Sequence, residues 1–168
     1  MREAADAIYQ RAQRLAATYR ERNAPQILAL LEEAAAFDHP DALFELGSWR
    51  RHGIGTERDD ARAIELWERA SDAGHLEARF ALAIAYERGA GVAADLARAF
   101  ALYQSCAGEG YVDALYEAGR CRYYGIGTAV DVPAAAAQFA TARAAGHVEA
   151  QCDAAESDGP RRMPPRRP

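Results

Sequence analysis

The chain has 168 residues, half of them apolar, with a mean hydropathy of −0.34 and a formal net charge of −5. That length suits one domain of ordinary size, and without a run of about 18 consecutive apolar residues no transmembrane helix is expected. Every basic residue is an arginine, and "GPRRMPPRRP" at the end holds four of them with no acid. The rest of the body is therefore clearly acidic, which disfavours nucleic acid as a partner.

The first stretch, "MREAADAIYQRAQRLAATYRER", is charged from its second residue and contains no continuous apolar block, which argues against a secretory signal peptide. Its arginines suggest a transit peptide, but Glu3 and Asp6 count against one. Cys106, Cys121 and Cys152 are odd in number, irregularly spaced and free of any CxxC pair. That pattern points to reduced thiols in a cytoplasmic protein and away from a metal site.

From about residue 39 the chain repeats with a period of 36. Ala42, Ala78, Ala114 and Ala150 are in step, as are Gly53, Gly89 and Gly125, Gly55, Gly91 and Gly127, and Asp59, Asp95 and Asp131. Ala63, Ala99 and Ala135 follow, and Gly74, Gly110 and Gly146 close the units. A period of this length signals a solenoid of one repeated supersecondary unit.

Each unit reads as two helices. The first, such as "DALFELGSWRRH", packs a stripe of Ala42, Leu46 and Arg50 with Gly47 beside it. The Gly-x-Gly loop ends that helix, since glycine reaches positive φ without a side-chain clash. The aspartates sit at the N-cap of the second helix, and Pro133 suits its first turn. In the second helix a large aromatic recurs at Trp67, Tyr103 and Phe139, where it is expected to fill the space between a unit and its neighbour. Stepping back from Asp59 lands on Asn23 as an N-cap, with Leu31 in the aromatic slot and Ala34 in the small one. Residues 1–38 thus read as an atypical capping pair without the glycine loop.

The pattern Ala-x3-Leu-Gly-x5-Gly-x-Gly-x3-Asp-x3-Ala-x3-aromatic-x2-Ala-x3-Gly resembles the Sel1-like repeat, a branch of the tetratricopeptide-type helical repeats. The resemblance implies an all-α fold: an α-solenoid of stacked antiparallel helix pairs in a right-handed superhelix. Its repeats would span 39–74, 75–110 and 111–146, with 147–157 opening a fourth and 158–168 a disordered Pro/Arg tail. Residues 1–157 would form one solenoid. The family usually has tyrosine where this chain has Arg50 and Arg122, and only Tyr86 keeps it.

His39, His75 and His147 also fall in step. Helices of successive units lie roughly 8–10 Å apart, whereas zinc takes nitrogen ligands at about 2 Å, so these histidines are expected to mark helix starts and not a metal site. No GxSxG, HExxH, phosphate-loop or dinucleotide motif occurs, and each Gly-x-Gly lies between helices where a dinucleotide site needs a preceding strand. Neither an enzyme nor a cofactor is expected.

Helical rotation from Ala42 places Phe44, Ser48 and Arg51 on the opposite side of the first helix. Phe80, Ile84 and Glu87, with Arg88, stand there in the second unit, and Tyr116, Arg120 and Tyr123, with Tyr124, in the third. In tetratricopeptide-type folds the first helices line the concave face, so the resemblance implies a partner surface of these residues. Aromatics and arginines are the usual interface hot spots, although the Phe44–Phe80–Tyr116 column could instead pack between adjacent first helices. The expected role is a non-enzymatic adaptor holding a peptide or partner protein in its groove. The alternative is a bacterial immunity protein whose acidic body masks a basic toxin; the alanine-rich, all-arginine composition suits a GC-rich bacterial genome.

Overall fold

The computed structural model describes residues 2–19, 22–148 and 150. Among these residues the chain is all helical, with no strand. It contains α1 (Arg2–Tyr19), α2 (Ala24–Ala35), α3 (Pro40–His52), α4 (Asp60–Asp72), α5 (Leu76–Arg88), α6 (Leu96–Gly108), α7 (Val112–Tyr124) and α8 (Val132–Ala144). This is an all-α fold of the α-solenoid class, made of successive helix pairs. Val148 and Ala150 are helical again, where a fourth unit is expected to open. Cys152 and the arginine-rich tail lie outside the described residues.

The chain forms two compact units. Of the described residues, one unit holds those up to Leu82 together with Ala90–Val92; the other holds Ala83–Gly89 and those from Ala93 on. The division passes through α5, which is continuous in the backbone.

In the first unit α1 pairs with α2, α2 with α3, and α3 with α4. Ile27, Leu31, Leu43, Trp49 and Leu66 are fully buried between them. Gly53 ends α3 in the left-handed conformation at φ 66°, its N–H donating to the Trp49 carbonyl. The Asp59 side chain then accepts from the Arg62 N–H at 2.9 Å, capping α4. The second loop glycine has a further reason to lack a side chain. A Cβ on Gly55 would stand 3.0 Å from Ala24 at the start of α2, and one on Gly91 only 2.5 Å from the Asp60 carbonyl oxygen at the start of α4. Each of these loops therefore rests its second glycine on the start of the second helix of the preceding helix pair.

The aromatic of α4 packs differently from expectation. A Cβ on Gly47 would meet the Trp67 ring at 2.6 Å, and Trp67 Nε1 donates to the Phe44 carbonyl at 3.1 Å. Trp67 thus packs on the partner helix of its own pair, where the glycine supplies the room. Asn23 also departs from its expected role. It sits at the N-cap of α2, but its side chain makes no capping bond; Nδ2 donates instead to the Leu15 carbonyl at 3.4 Å, tying α2 to α1. Leu31 and Ala34 are buried in the slots assigned to them.

In the second unit α6 pairs with α7 and α7 with α8. Asp95 caps α6 and Asp131 caps α8, accepting from Arg98 and Ala134 at 2.9 and 3.0 Å. Gly119 gives room to Phe139 as Gly47 does to Trp67. Tyr116 packs with Phe139, Ala142 and Ala150. The slot usually held by tyrosine is polar in two of three repeats. Arg50 donates to Thr56 at 2.7 Å and Glu32 at 2.6 Å. Tyr86 is covered by the Arg98 guanidinium at 4.2 Å, and Arg122 lies over the Phe100 ring at 5.5 Å. Arginine stems can cover apolar surface while the head finds partners, so these departures leave the helix pairs intact.

Candidate functional site

The in-step histidines define the start of each first helix. Nδ1 of His39, His75 and His147 accepts from the N–H of Ala42, Ala78 and Ala150 at 3.3, 3.1 and 3.2 Å. With Nδ1 an acceptor, the ring proton of a neutral imidazole sits on Nε2. Nε2 faces an aspartate of the preceding helix pair: Asp6 at 3.1 Å, Asp41 at 3.3 Å and Asp113 at 3.6 Å respectively. Each ring also lies against an aromatic three residues after that aspartate. The pairs are Tyr9–His39, Phe44–His75 and Tyr116–His147, with centroids 4.6, 4.6 and 4.5 Å apart. The first pair places Asp6 and Tyr9 of α1 in the role of Asp41 and Phe44, a relation hidden in the sequence by a shift of one residue in the period. Among the described residues no group of three or more His, Cys, Asp or Glu could hold a metal ion.

Within the first unit, a cleft of about 430 Å³ opens between α1, α3 and the start of α5. Tyr9, Phe44 and His75 supply its rings, and Asp41, Glu45 and Glu77 its carboxylates. Gln13 and Ser48 complete the lining, which holds no arginine or lysine. Gln13 Nε2 donates to Glu45 Oε2 at 2.6 Å and to the Tyr9 hydroxyl at 2.7 Å. Burial, and then the Glu45 and Asp41 carboxylates, push the Tyr9 phenol up to about 12. The cleft is thus lined by aromatic rings and carboxylates together. Phe44 and Ser48 belong to the partner surface expected from the sequence. Of the other expected residues in this unit, Arg51 lies over the Trp67 ring at 5.5 Å, and Phe80 is half-buried.

The second unit treats the corresponding residues differently. Tyr116 is 5% exposed and Arg120 6% exposed. Arg120 Nε donates to Glu117 Oε2 at 2.6 Å, and Nη2 reaches both oxygens of Glu87 at 2.6 and 2.8 Å. The Tyr103 hydroxyl donates to Glu87 Oε2 at 2.9 Å. Burial alone would lower the Arg120 pKa, but Glu117 and Glu87 outweigh it and hold it above its usual value. Burial, reinforced by Glu87, raises the Tyr103 phenol, so it stays a donor. Arg120, Glu87 and Tyr116, expected on a partner surface, are therefore core groups here. The physical reason is mutual satisfaction, since a guanidinium between two carboxylates can be buried where a lone one cannot. Ile84 is half-buried, Arg88 is exposed, and Tyr123 and Tyr124 are half-buried, packed edge to face with centroids 4.9 Å apart. Of the expected residues in this unit, Arg88 alone is exposed.

Tyr9, Gln13, Asp41, Glu45, His75 and Glu77 were not singled out from the sequence as cleft residues. The signal for part of the cleft was the spacing Asp6-x2-Tyr9, matching Asp41-x2-Phe44.

Helix pairs with glycine loops, aspartate caps and aromatic-on-glycine packing define a helical repeat protein. Family comparison sharpens that: the Sel1 repeat model matches residues 40–75, 76–111 and 112–147. The chain belongs to the Sel1 repeat family, whose members are generally non-catalytic scaffolds for protein–protein interaction. It is similar to a solved Sel1 repeat protein from Oxalobacter formigenes, with 30% identity and a TM-score of 0.75 over 86% of this chain and 43% of that one. A protective antigen of uropathogenic Escherichia coli strains, displaying an SLR fold, is similar at 24% identity and a TM-score of 0.78. There the match covers 85% of this chain and 32% of the other. This chain therefore spans less than half the length of either. No curated protein matches it. Among the described residues no helix is long and apolar enough to cross a membrane.

Proposed function

We propose that the chain is an adaptor that holds a peptide or a segment of a partner protein against its first helices. The observation that carries this reading is the cleft of about 430 Å³ over Phe44 and Ser48, on the α3 face opposite the packed stripe. Rings beside carboxylates at a concave place suit recognition of a side chain. Catalysis finds less support, because the perturbed Tyr103 and Arg120 outside the cleft are satisfied structural groups. Tyr103 and Arg120 hold their protonated forms within a closed ion cluster.

The second unit would contribute through Arg88 and the Tyr123–Tyr124 pair. A chain carrying Arg88→Ala and Tyr123→Ala should keep its helical circular dichroism and retain less than about a tenth of the partner that the unmodified chain captures and mass spectrometry identifies, a loss of about 1.4 kcal/mol or more. Undiminished capture would remove these residues from the reading.

A further inference from the structure

The two units carry the same register with one decisive difference. Glu45 and Ser48 of the first repeat stand 72 residues before Glu117 and Arg120 of the third. In the third repeat, Arg120 fills the space beside its helix and donates to Glu117. In the first, serine leaves that guanidinium out, and the cleft lies beside Ser48 with Glu45 in its lining. Ser48 Oγ turns back to the Phe44 carbonyl at 3.0 Å.

We infer that the cleft beside Ser48 receives the guanidinium of an arginine presented by a partner peptide, replacing from outside the group that Arg120 supplies internally in the third repeat. This rests on the adaptor reading and specifies what the adaptor recognises. Three features of the cleft fit the occupant. Asp41, Glu45 and Glu77 provide the opposite charge, and a planar guanidinium can meet carboxylates two bonds at a time. Phe44 and Tyr9 offer ring faces on which guanidinium stacks and to which a cation is drawn. The volume exceeds that of a single side chain, leaving room for the arginine stem and part of the peptide backbone. Arginine is favoured over lysine because the molecule already shows a guanidinium meeting the equivalent glutamate.

The test is a nitrogen-15 NMR titration of the full chain with the blocked tripeptide acetyl-Gly-Arg-Gly-amide. Comparison peptides carry citrulline or lysine in place of arginine. Saturable shifts should centre on Gln13, Phe44 and Ser48, with the citrulline and lysine peptides at least about tenfold weaker. Ser48→Arg should fill the cleft from within, leave the melting temperature unchanged or raised, and weaken the arginine peptide by about tenfold or more. Glu45→Gln, which keeps shape and removes charge, should weaken it several-fold. The inference is overturned by shifts that never saturate, by citrulline or lysine binding equally well, or by undiminished binding to folded Ser48→Arg. A chain that ignores the peptide yet still captures its partner through Arg88 and Tyr123 would lose this inference and keep the adaptor reading.

Discussion

The first and third repeats solve one packing problem in opposite ways. Both open the first helix with an acid that faces the next histidine, and both stack that histidine on an aromatic. Seven residues after the acid they diverge. Arg120 closes the third repeat with a buried ion cluster, while Ser48 leaves the first with a cleft. The lesson is that a single column of a repeat can decide whether its neighbourhood is core or surface. A buried guanidinium that is satisfied on several sides becomes scaffold; where serine replaces it, carboxylates and rings line a cleft.

The largest expected effect tests the closed side. Arg120→Ala strands Glu117 and Glu87 without their shared cation and should cost about 3–5 kcal/mol in a urea unfolding experiment. Ser48→Ala at the equivalent position should change stability by less than about 0.5 kcal/mol. Equal costs would erase the distinction between the repeats. Arg120→Met combined with Glu117→Gln should recover part of the loss, since well-packed neutral groups can replace a buried pair.

The loop glycines sharpen the comparison at a second level. A methyl group on Gly127 would overlap the Leu96 carbonyl, whereas one on Gly55 comes no closer than 3.0 Å, to the Ala24 methyl. Both positions also have φ of 66°, which alone costs a non-glycine residue about 1 kcal/mol or more. Gly127→Ala should therefore lower stability by about 2–4 kcal/mol and Gly55→Ala by about 1–2 kcal/mol, read from the same urea curves. The reverse order would mean that the close approach in the second unit relaxes freely.

The remaining effect is alkaline. Burial pushes the Cys121 thiol up to about 12 from an ordinary 9, and the Tyr9 phenol up to about 12 from an ordinary 10. In both cases the folded chain keeps a proton that the unfolded chain releases. Stability is thus independent of these groups below about pH 9 and falls as pH rises, through Cys121 first and Tyr9 from about pH 10. The slope from Cys121 should approach about 1.4 kcal/mol per pH unit. Cys121→Ala should flatten the fall between about pH 9 and 10; an unaltered profile would assign it to other groups.

The local devices were legible in the sequence because they act over three or four residues. Asp59, Asp95 and Asp131 reach N–H groups three positions on, and the periodicity of the glycines marks loops wherever they fall. The burial of Arg120 was hidden, because helical rotation reports a direction and not what stands there. Its partners were nonetheless written nearby: Glu117 one turn earlier, and Glu87 in the corresponding helix of the preceding repeat. The cleft was harder to see. Tyr9 and Gln13 of its lining come from α1, where the period slips by one residue and Tyr9 no longer aligns with Phe44. Trp67 misled in another way, since an aromatic beside a glycine fits equally well between repeats or within one.

The stacked histidines have a practical consequence for anyone exchanging modules of this chain. Counted by the 36-residue period from His39, His75 and His147 open a new unit, but the family repeats end on them and their rings complete the aromatic of the repeat before. A splice made immediately after Gly74 or Gly146 would strip Phe44 or Tyr116 of its lid. A graft boundary placed beyond the histidine's own cap, after Ala78 or Ala150, would carry ring, aspartate and lid across together.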